Sequence, residues 1–181
     1  NEKNEGIAFS RNRGIDAARG KFLCFLSADD MWRQNYLEEM VKLTTLGFPV
    51  NSFFYSNYFL VNENNVVIGK TDFPKIDNYP NFLITVTEQA KMNTMFVNYS
   101  SIFAPTDLWR DNRFEFNFGE DLFHLLRCTL IKKLPFIFHN GHLILYRLHN
   151  NNTTSKNFSK IAENNKKIFE RINELAGRQI F

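Results

Sequence analysis

A chain of 181 residues, 44% hydrophobic and 23% charged, has the length and balance of one globular domain with a substantial core. A net charge of +3 without a dense Lys/Arg run sets nucleic acid aside as a partner. There is no signal peptide and no apolar run of roughly 18 residues for a transmembrane segment, and two cysteines make no disulfide framework, so a reducing, cytoplasmic compartment is expected.

In chain order, the first element expected is a short helix over residues 11–20, with Ser10 as N-cap, Ile15 and Ala18 facing a sheet, and Gly20 ending it. Residues 22–26, Phe-Leu-Cys-Phe-Leu, have the continuous hydrophobicity of a buried parallel strand. A helix leading into such a strand is the second half of a βαβ unit, so an upstream strand is expected to be missing from this chain. The strand stops at Asp29 and Asp30, where open α/β sheets place their ligands. Two readings stand side by side for these acids. They can cap the following helix, or their hard oxygens can hold Mg²⁺ or Mn²⁺ carrying a diphosphate.

Residues 34–46 carry Tyr36, Leu37, Met40, Val41 and Leu43 at helical spacing. An aromatic strand over 53–61, a turn at 63–65 and a return over 66–69 predict a hairpin. Residues 70–80, with Pro74 and Pro80, suit a surface loop over the site, and 92–99 show no period. A short strand ended by Pro105, a helical turn over 106–111 and an amphipathic helix over 122–132 follow. Residues 135–139 and 143–148 predict two strands separated by an Asn140-Gly141 turn. A polar loop over 150–156 leads to a tail whose Ile161, Ile168, Phe169, Ile172 and Leu175 form one apolar face. Strands alternating with helices make the class α/β. The expected division is 1–156 as the main domain and 157–181 as a C-terminal amphipathic helix, which either packs on the domain or self-associates as a homo-oligomer. Its mixed-charge polar face argues against a strongly basic membrane helix.

Two further features carry chemistry. Glu120-Asp121 opens a helix after an aromatic approach. These acids either serve the helix dipole or supply an ionised base, since neighbouring Phe side chains raise a carboxylate pKa while the dipole lowers it. Arg147-Leu148-His149 ends the last strand, where Arg147 can meet an acid or a phosphate and His149 alone reads as a packed surface histidine. His124, His139 and His142 lack zinc spacing.

Taken together these segments resemble the family 2 glycosyltransferases of the GT-A fold. Arg11-Asn12-Arg13-Gly14 with Phe25-Leu26-Ser27-Ala28-Asp29-Asp30-Met31-Trp32 is similar to that family's central helix and DxD strand end. Phe118-Gly119-Glu120-Asp121 with Arg127 is similar to its acceptor-side motif, and Tyr146-Arg147-Leu148-His149 followed by Thr153-Thr154-Ser155 to its C-terminal segment. The likeness covers roughly residues 4–156 and implies a Rossmann-like mixed sheet flanked by helices, lacking the N-terminal nucleobase-binding part. It implies an inverting, metal-assisted transfer of a sugar from a nucleotide-sugar donor to a glycan or glycolipid hydroxyl, in polysaccharide biosynthesis, at the cytoplasmic side and in peripheral contact with the membrane. By resemblance Asp29 is the Mg²⁺ or Mn²⁺ ligand, His149 completes the metal shell, and Asp30 supports the metal or the donor sugar. Arg11 and Arg147 lie on the donor side, Asp121 is the base, and Glu120 orients the acceptor. Asp29 and Asp121 are then expected to face one another across a shared cleft. Ser27 departs from the pattern, standing where the family's first DxD aspartate would be, so it contributes a hydroxyl in place of a charge. With the upstream half absent as well, the alternative is a non-catalytic remnant that binds a glycan or a partner.

Overall fold

The computed structural model describes residues 4–73, 79–91, 97–117, 119–149 and 158–181. Helix α1, Ile7–Ala17, lays Ala8 and Ile15 against the core. It starts four residues before the expected boundary: Gly6 precedes it with φ of 92°, and Ser10, expected as the cap, sits inside and donates its hydroxyl to the Gly6 carbonyl at 3.0 Å. Strands β1, Phe22–Cys24, and β2, Met31–Trp32, flank the turn with Asp29 and Asp30. Helix α2, Tyr36–Thr44, buries Tyr36, Met40 and Leu43 at helical spacing. The expected hairpin forms as β3, Phe53–Val61, and β4, Val67–Lys70.

Helix α3, Tyr79–Lys91, was not evident from the sequence, yet Phe82, Val86 and Ala90 recur every fourth residue and are buried. The expected loop therefore ends by Tyr79, and its residues 74–78 lie outside the described residues. A 3₁₀ turn, Tyr99–Ser101, leads to β5, Phe103–Pro105, and α4, Thr106–Asp111. Helix α5, Glu120–Leu126, passes into a π-helical turn, Arg127–Ile131. The long strand β6, Phe136–Arg147, and helix α6, Phe158–Ala176, complete the chain.

The strands form one six-stranded sheet in the order β1-β5-β3-β6-β2, with β4 also on β3. Two expectations are corrected here. The run read as a buried parallel strand pairs antiparallel with β5 and is only half-buried. It stops at Cys24 because Phe25 leaves the sheet to meet Trp109 and Phe114, with ring centroids 5.1 and 5.6 Å away. Asn140-Gly141 is not a hairpin turn either. Both flanks pair with β3 in parallel, and the extra residues are absorbed as a register shift around Asn57.

Consecutive β3 residues feed opposite faces: Phe53 joins the cluster with Ile15, Trp109, Phe123 and Ile168, and Phe54 the one with Tyr36, Met40, Phe103 and Ile144. The tail helix belongs to the first cluster, with Ile168 and Ile172 fully buried. Those two residues are covered by the domain itself, while Leu175 of the same tail is 38% exposed. Ile168 seats its Cδ1 methyl against Gly119, whose φ of 75° starts α5. Cys128 is fully buried and Cys24 half-buried, both free thiols as expected. No helix among the described residues is long and apolar enough to cross a membrane.

His124 lies at the centre of the first cluster, stacked on Phe114 and Trp109. Its Nε2 is 2.8 Å from the Asn112 carbonyl and its Nδ1 is 2.7 Å from the Tyr99 hydroxyl, partners that suit a neutral ring donating from Nε2 and accepting at Nδ1. Burial, first, and the Arg127 charge push its pKa down to about 3. The unfolded ring takes its proton near 6.5 and the folded ring near 3, so between these values the unfolded chain binds more protons. This contribution to stability is complete above the unfolded value and is lost as pH falls, by up to about 1.4 kcal/mol per pH unit. Urea midpoints of a His124→Gln chain should therefore fall less steeply between about pH 6.5 and 4 than those of the wild type. Parallel slopes in the two proteins would contradict it.

Candidate active site

The turn after β1 holds its two acids differently. Asp30 is buried, 6% exposed. Its Oδ2 accepts the Ser100 hydroxyl at 2.6 Å and its Oδ1 the Arg147 backbone N–H at 3.2 Å. Burial raises its pKa, and the Ser100 and Arg147 hydrogen bonds pull the other way. Asp29 is more open, its side chain 40% exposed, and its Oδ2 stands 3.1 Å from His149 Nε2. The strand-end acid and the C-terminal imidazole, far apart in sequence, are therefore neighbours. Arg147 Nε donates to the Asp29 carbonyl at 2.9 Å and its Nη1 to the Asn62 carbonyl at 3.1 Å, tying the acid turn to the β3–β4 turn.

Ser27 donates its N–H to Ser100 Oγ at 3.2 Å, and the two hydroxyls are 3.1 Å apart. The 3₁₀ turn that supplies Ser100 is itself well pinned. Asn98 Oδ1 accepts the Ser100 N–H at 2.7 Å, Trp32 Nε1 donates to the Ser100 carbonyl at 2.7 Å, and Tyr36 donates to the Ser101 carbonyl at 3.2 Å. Trp32 and Tyr36 stack at 4.7 Å, so the aromatic residue that follows the two acids serves to hold this turn.

The second acid pair meets the same turn from the other direction. Arg11, expected beside the donor, lies with its guanidinium carbon 4.9, 5.4 and 5.9 Å from the ring centres of Phe114, Tyr99 and Phe25. Its Nη1 donates to Glu120 Oε1 at 2.8 Å, with both side chains nearly buried. Burial and the neighbouring Asp121 charge push the Glu120 carboxyl up to about 7, against the pull of Arg11. Asp121, half-buried, accepts the Leu122 N–H at 2.8 Å through Oδ1. The Tyr99 hydroxyl is held well above its ordinary range, chiefly by burial and in part by the charges of Asp121 and Glu120. Adjacent residues of one turn therefore join the two acid pairs: Ser100 binds Asp30, and Tyr99 lies under the arginine that binds Glu120.

Phe118 of the acceptor-side motif and residues 153–155 of the C-terminal motif lie outside the described residues. Sequence reasoning missed Asn98, Tyr99 and Ser100. An asparagine two residues before a serine is an Asx-type capping pattern, and it was the one local signal for this turn. Among the described residues no three His, Cys, Asp or Glu side chains gather into a ready-made metal cage. Asp29 with His149 nonetheless offers one hard oxygen and one imidazole nitrogen, a donor set that suits a divalent ion completed by phosphate oxygens.

Residues 1–104 match the family model described as glycosyl transferase family 2. Among curated proteins the chain is 36% identical over 83 residues to the UDP-Glc:alpha-D-GlcNAc-diphosphoundecaprenol beta-1,3-glucosyltransferase WfgD of Escherichia coli, covering 46% of this chain and 32% of that protein. It is 27% identical over 172 residues to an uncharacterized glycosyltransferase of Rickettsia bellii, covering 90% of this chain and 22% of the relative. It is 50% identical over 36 residues to the amylovoran biosynthesis glycosyltransferase AmsB of Erwinia amylovora, 20% of this chain and 12% of that protein. The chain thus spans a third or less of each.

The buried Arg11–Glu120 pair gives a pH-dependent expectation. Arg11→Met leaves Glu120 without its cation, and the loss counts only where Glu120 is ionised, above its pKa of about 7. Urea unfolding should show a cost of about 3 kcal/mol near pH 8 and a smaller one near pH 5.5. An equal cost at both would show that Arg11 acts by packing alone.

Proposed function

Because the chain belongs to glycosyl transferase family 2, we propose that it transfers a sugar from a nucleotide-sugar donor to a hydroxyl of a glycan or glycolipid, inverting the anomeric centre. The observation that carries this reading is the convergence of two differently held acid pairs on one turn, Asp30 through Ser100 and Glu120 through Arg11 and Tyr99. The printed name of the Escherichia coli relative, with a UDP-sugar donor and a diphosphoundecaprenol-linked acceptor, supports a lipid-linked acceptor as one member of this class.

Asp29 and His149 are the residues that would hold Mg²⁺ or Mn²⁺, which when bound supplies charge neutralisation for the departing diphosphate. Asp30, sealed beneath the turn by Ser100 and the Arg147 N–H, keeps Asp29 facing outward. Asp121 is the base. One of its oxygens is taken by the Leu122 N–H, which fixes the carboxylate and leaves the other oxygen to accept the acceptor hydroxyl's proton. As that hydroxyl oxygen bonds to the anomeric carbon, the bond to the diphosphate breaks on the opposite face, and one displacement inverts the centre. Glu120, held by Arg11, orients the acceptor and keeps the first turn of α5 in place.

Asp121→Asn should lower sugar transfer by about 10³-fold while leaving the donor KM nearly unchanged. Asp29→Ala should raise the Mn²⁺ concentration for half-maximal donor hydrolysis by about ten-fold or more. Both are read with a panel of UDP-, GDP- and dTDP-sugars and the full-length protein. Normal turnover in the first variant removes Asp121 from the base role, and an unchanged Mn²⁺ requirement in the second makes Asp29 a cap. A protein that hydrolyses none of these donors would point to the glycan-binding remnant instead, the reading that Ser27 favours by removing one negative charge beside Asp29.

A further inference from the structure

Phe116 is the exception in a loop whose neighbouring residues are tied down. Asn12 exchanges two hydrogen bonds with the backbone of Phe114, at 3.0 and 2.9 Å. Arg127 pairs with Glu115 and donates to the Arg113 carbonyl. Asn117 fills the space that a Cβ on Gly6 would need, at the start of α1. Within this frame Phe116 adopts φ of 66°, a left-handed conformation uncommon for a bulky aromatic residue. The ring is not buried in return. It is 38% exposed, resting edge-on against Phe123 at 4.7 Å, in the helix that Glu120 and Asp121 begin.

A turn with this backbone would ordinarily select glycine or asparagine, and a core position would cover the ring. Here local constraints leave an aromatic ring partly in solvent while it rests on Phe123, within one turn of the acids that begin the same helix. Sugars have a matching surface: the axial C–H groups on one side of a pyranose form a flat, weakly positive apolar face, complementary to the negative face of an aromatic ring.

We propose that Phe116 is the platform on which the acceptor's sugar ring stacks, next to the Glu120-Asp121 end of α5. This rests on the glycosyl-transfer reading and adds to it a residue that selects for a pyranose over a simple alcohol. Phe116 performs no proton transfer. It sets the plane of the acceptor ring, and so which hydroxyl reaches Asp121.

The test compares wild type, Phe116→Gly and Phe116→Tyr in the full-length protein. Saturation-transfer NMR with methyl glycosides of glucose, galactose and N-acetylglucosamine is the binding readout. Donor hydrolysis and thermal unfolding are followed in parallel. Wild type should transfer saturation to the C–H protons of one ring face of at least one glycoside. Phe116→Gly should weaken that binding by about ten-fold, and Phe116→Tyr should retain it. The glycine chain should unfold at the same or a higher temperature, because glycine accepts the positive φ. Wild type that binds no glycoside, a glycine variant that binds as well as wild type, or glycoside binding that falls only together with Tm and donor hydrolysis would each overturn the proposal. Absence of donor hydrolysis in wild type would instead strike the glycosyl-transfer reading, so the two failures are distinguishable.

Discussion

A guanidinium withdrawn from water must be compensated on every side, and the arrangement around Arg11 follows from that demand. Glu120 supplies the opposite charge, and Phe25, Tyr99 and Phe114 supply π faces. These partners come from four separate stretches of the chain, so satisfying one cation fixes the strand end, the 3₁₀ turn, the loop before α5 and α5 itself. Removing Glu120 would leave the cation uncompensated in a low-dielectric setting, and removing a ring would strip part of its cover while the ion pair stays.

The same economy explains why the two acid pairs have unlike members. In each pair one carboxylate is buried and held by the protein, Asp30 by Ser100 and Arg147, Glu120 by Arg11. The other, Asp29 or Asp121, is more accessible. The buried member takes the desolvation penalty, seen in the raised pKa of both Asp30 and Glu120. Its neighbour is thereby held in position without paying that penalty in full. Adjacent acids in a sequence need not be redundant, and here they divide support from exposure.

Elements with regular spacing were legible in the sequence: α2, the β3–β4 hairpin, the single turn of α4 and the buried Ile168 and Ile172 of α6 all appear where periodicity placed them. The misreadings occur where distant contacts override local preference. Asn140-Gly141 is a strong hairpin signal, but β3 offers one continuous parallel partner to both flanks, and the dipeptide becomes a bulge. The prolines around α3 masked its four-residue spacing of Phe82, Val86 and Ala90. Within the candidate site the acids could be picked out by type and position, whereas His149 read by itself as a packed surface histidine and was singled out only through the family resemblance. The role of Ser100 could not, because a buried serine identifies itself only through the partners that folding brings to it. Arg11 was expected beside the donor through the family resemblance alone, and its attachment to Glu120 spans most of the domain and leaves no local trace.

The contact between Gly119 and Ile168 has a consequence for how the chain can change over time. With φ of 75° and an isoleucine methyl where its Cβ would stand, position 119 can gain a side chain only if position 168 gives up volume and the backbone relaxes as well. A smaller residue at 168 is tolerable while 119 stays glycine, whereas a side chain at 119 meets the Ile168 methyl, so the two positions can change in one order only. A graft that exchanged the C-terminal helix among relatives would have to carry its matching glycine loop with it.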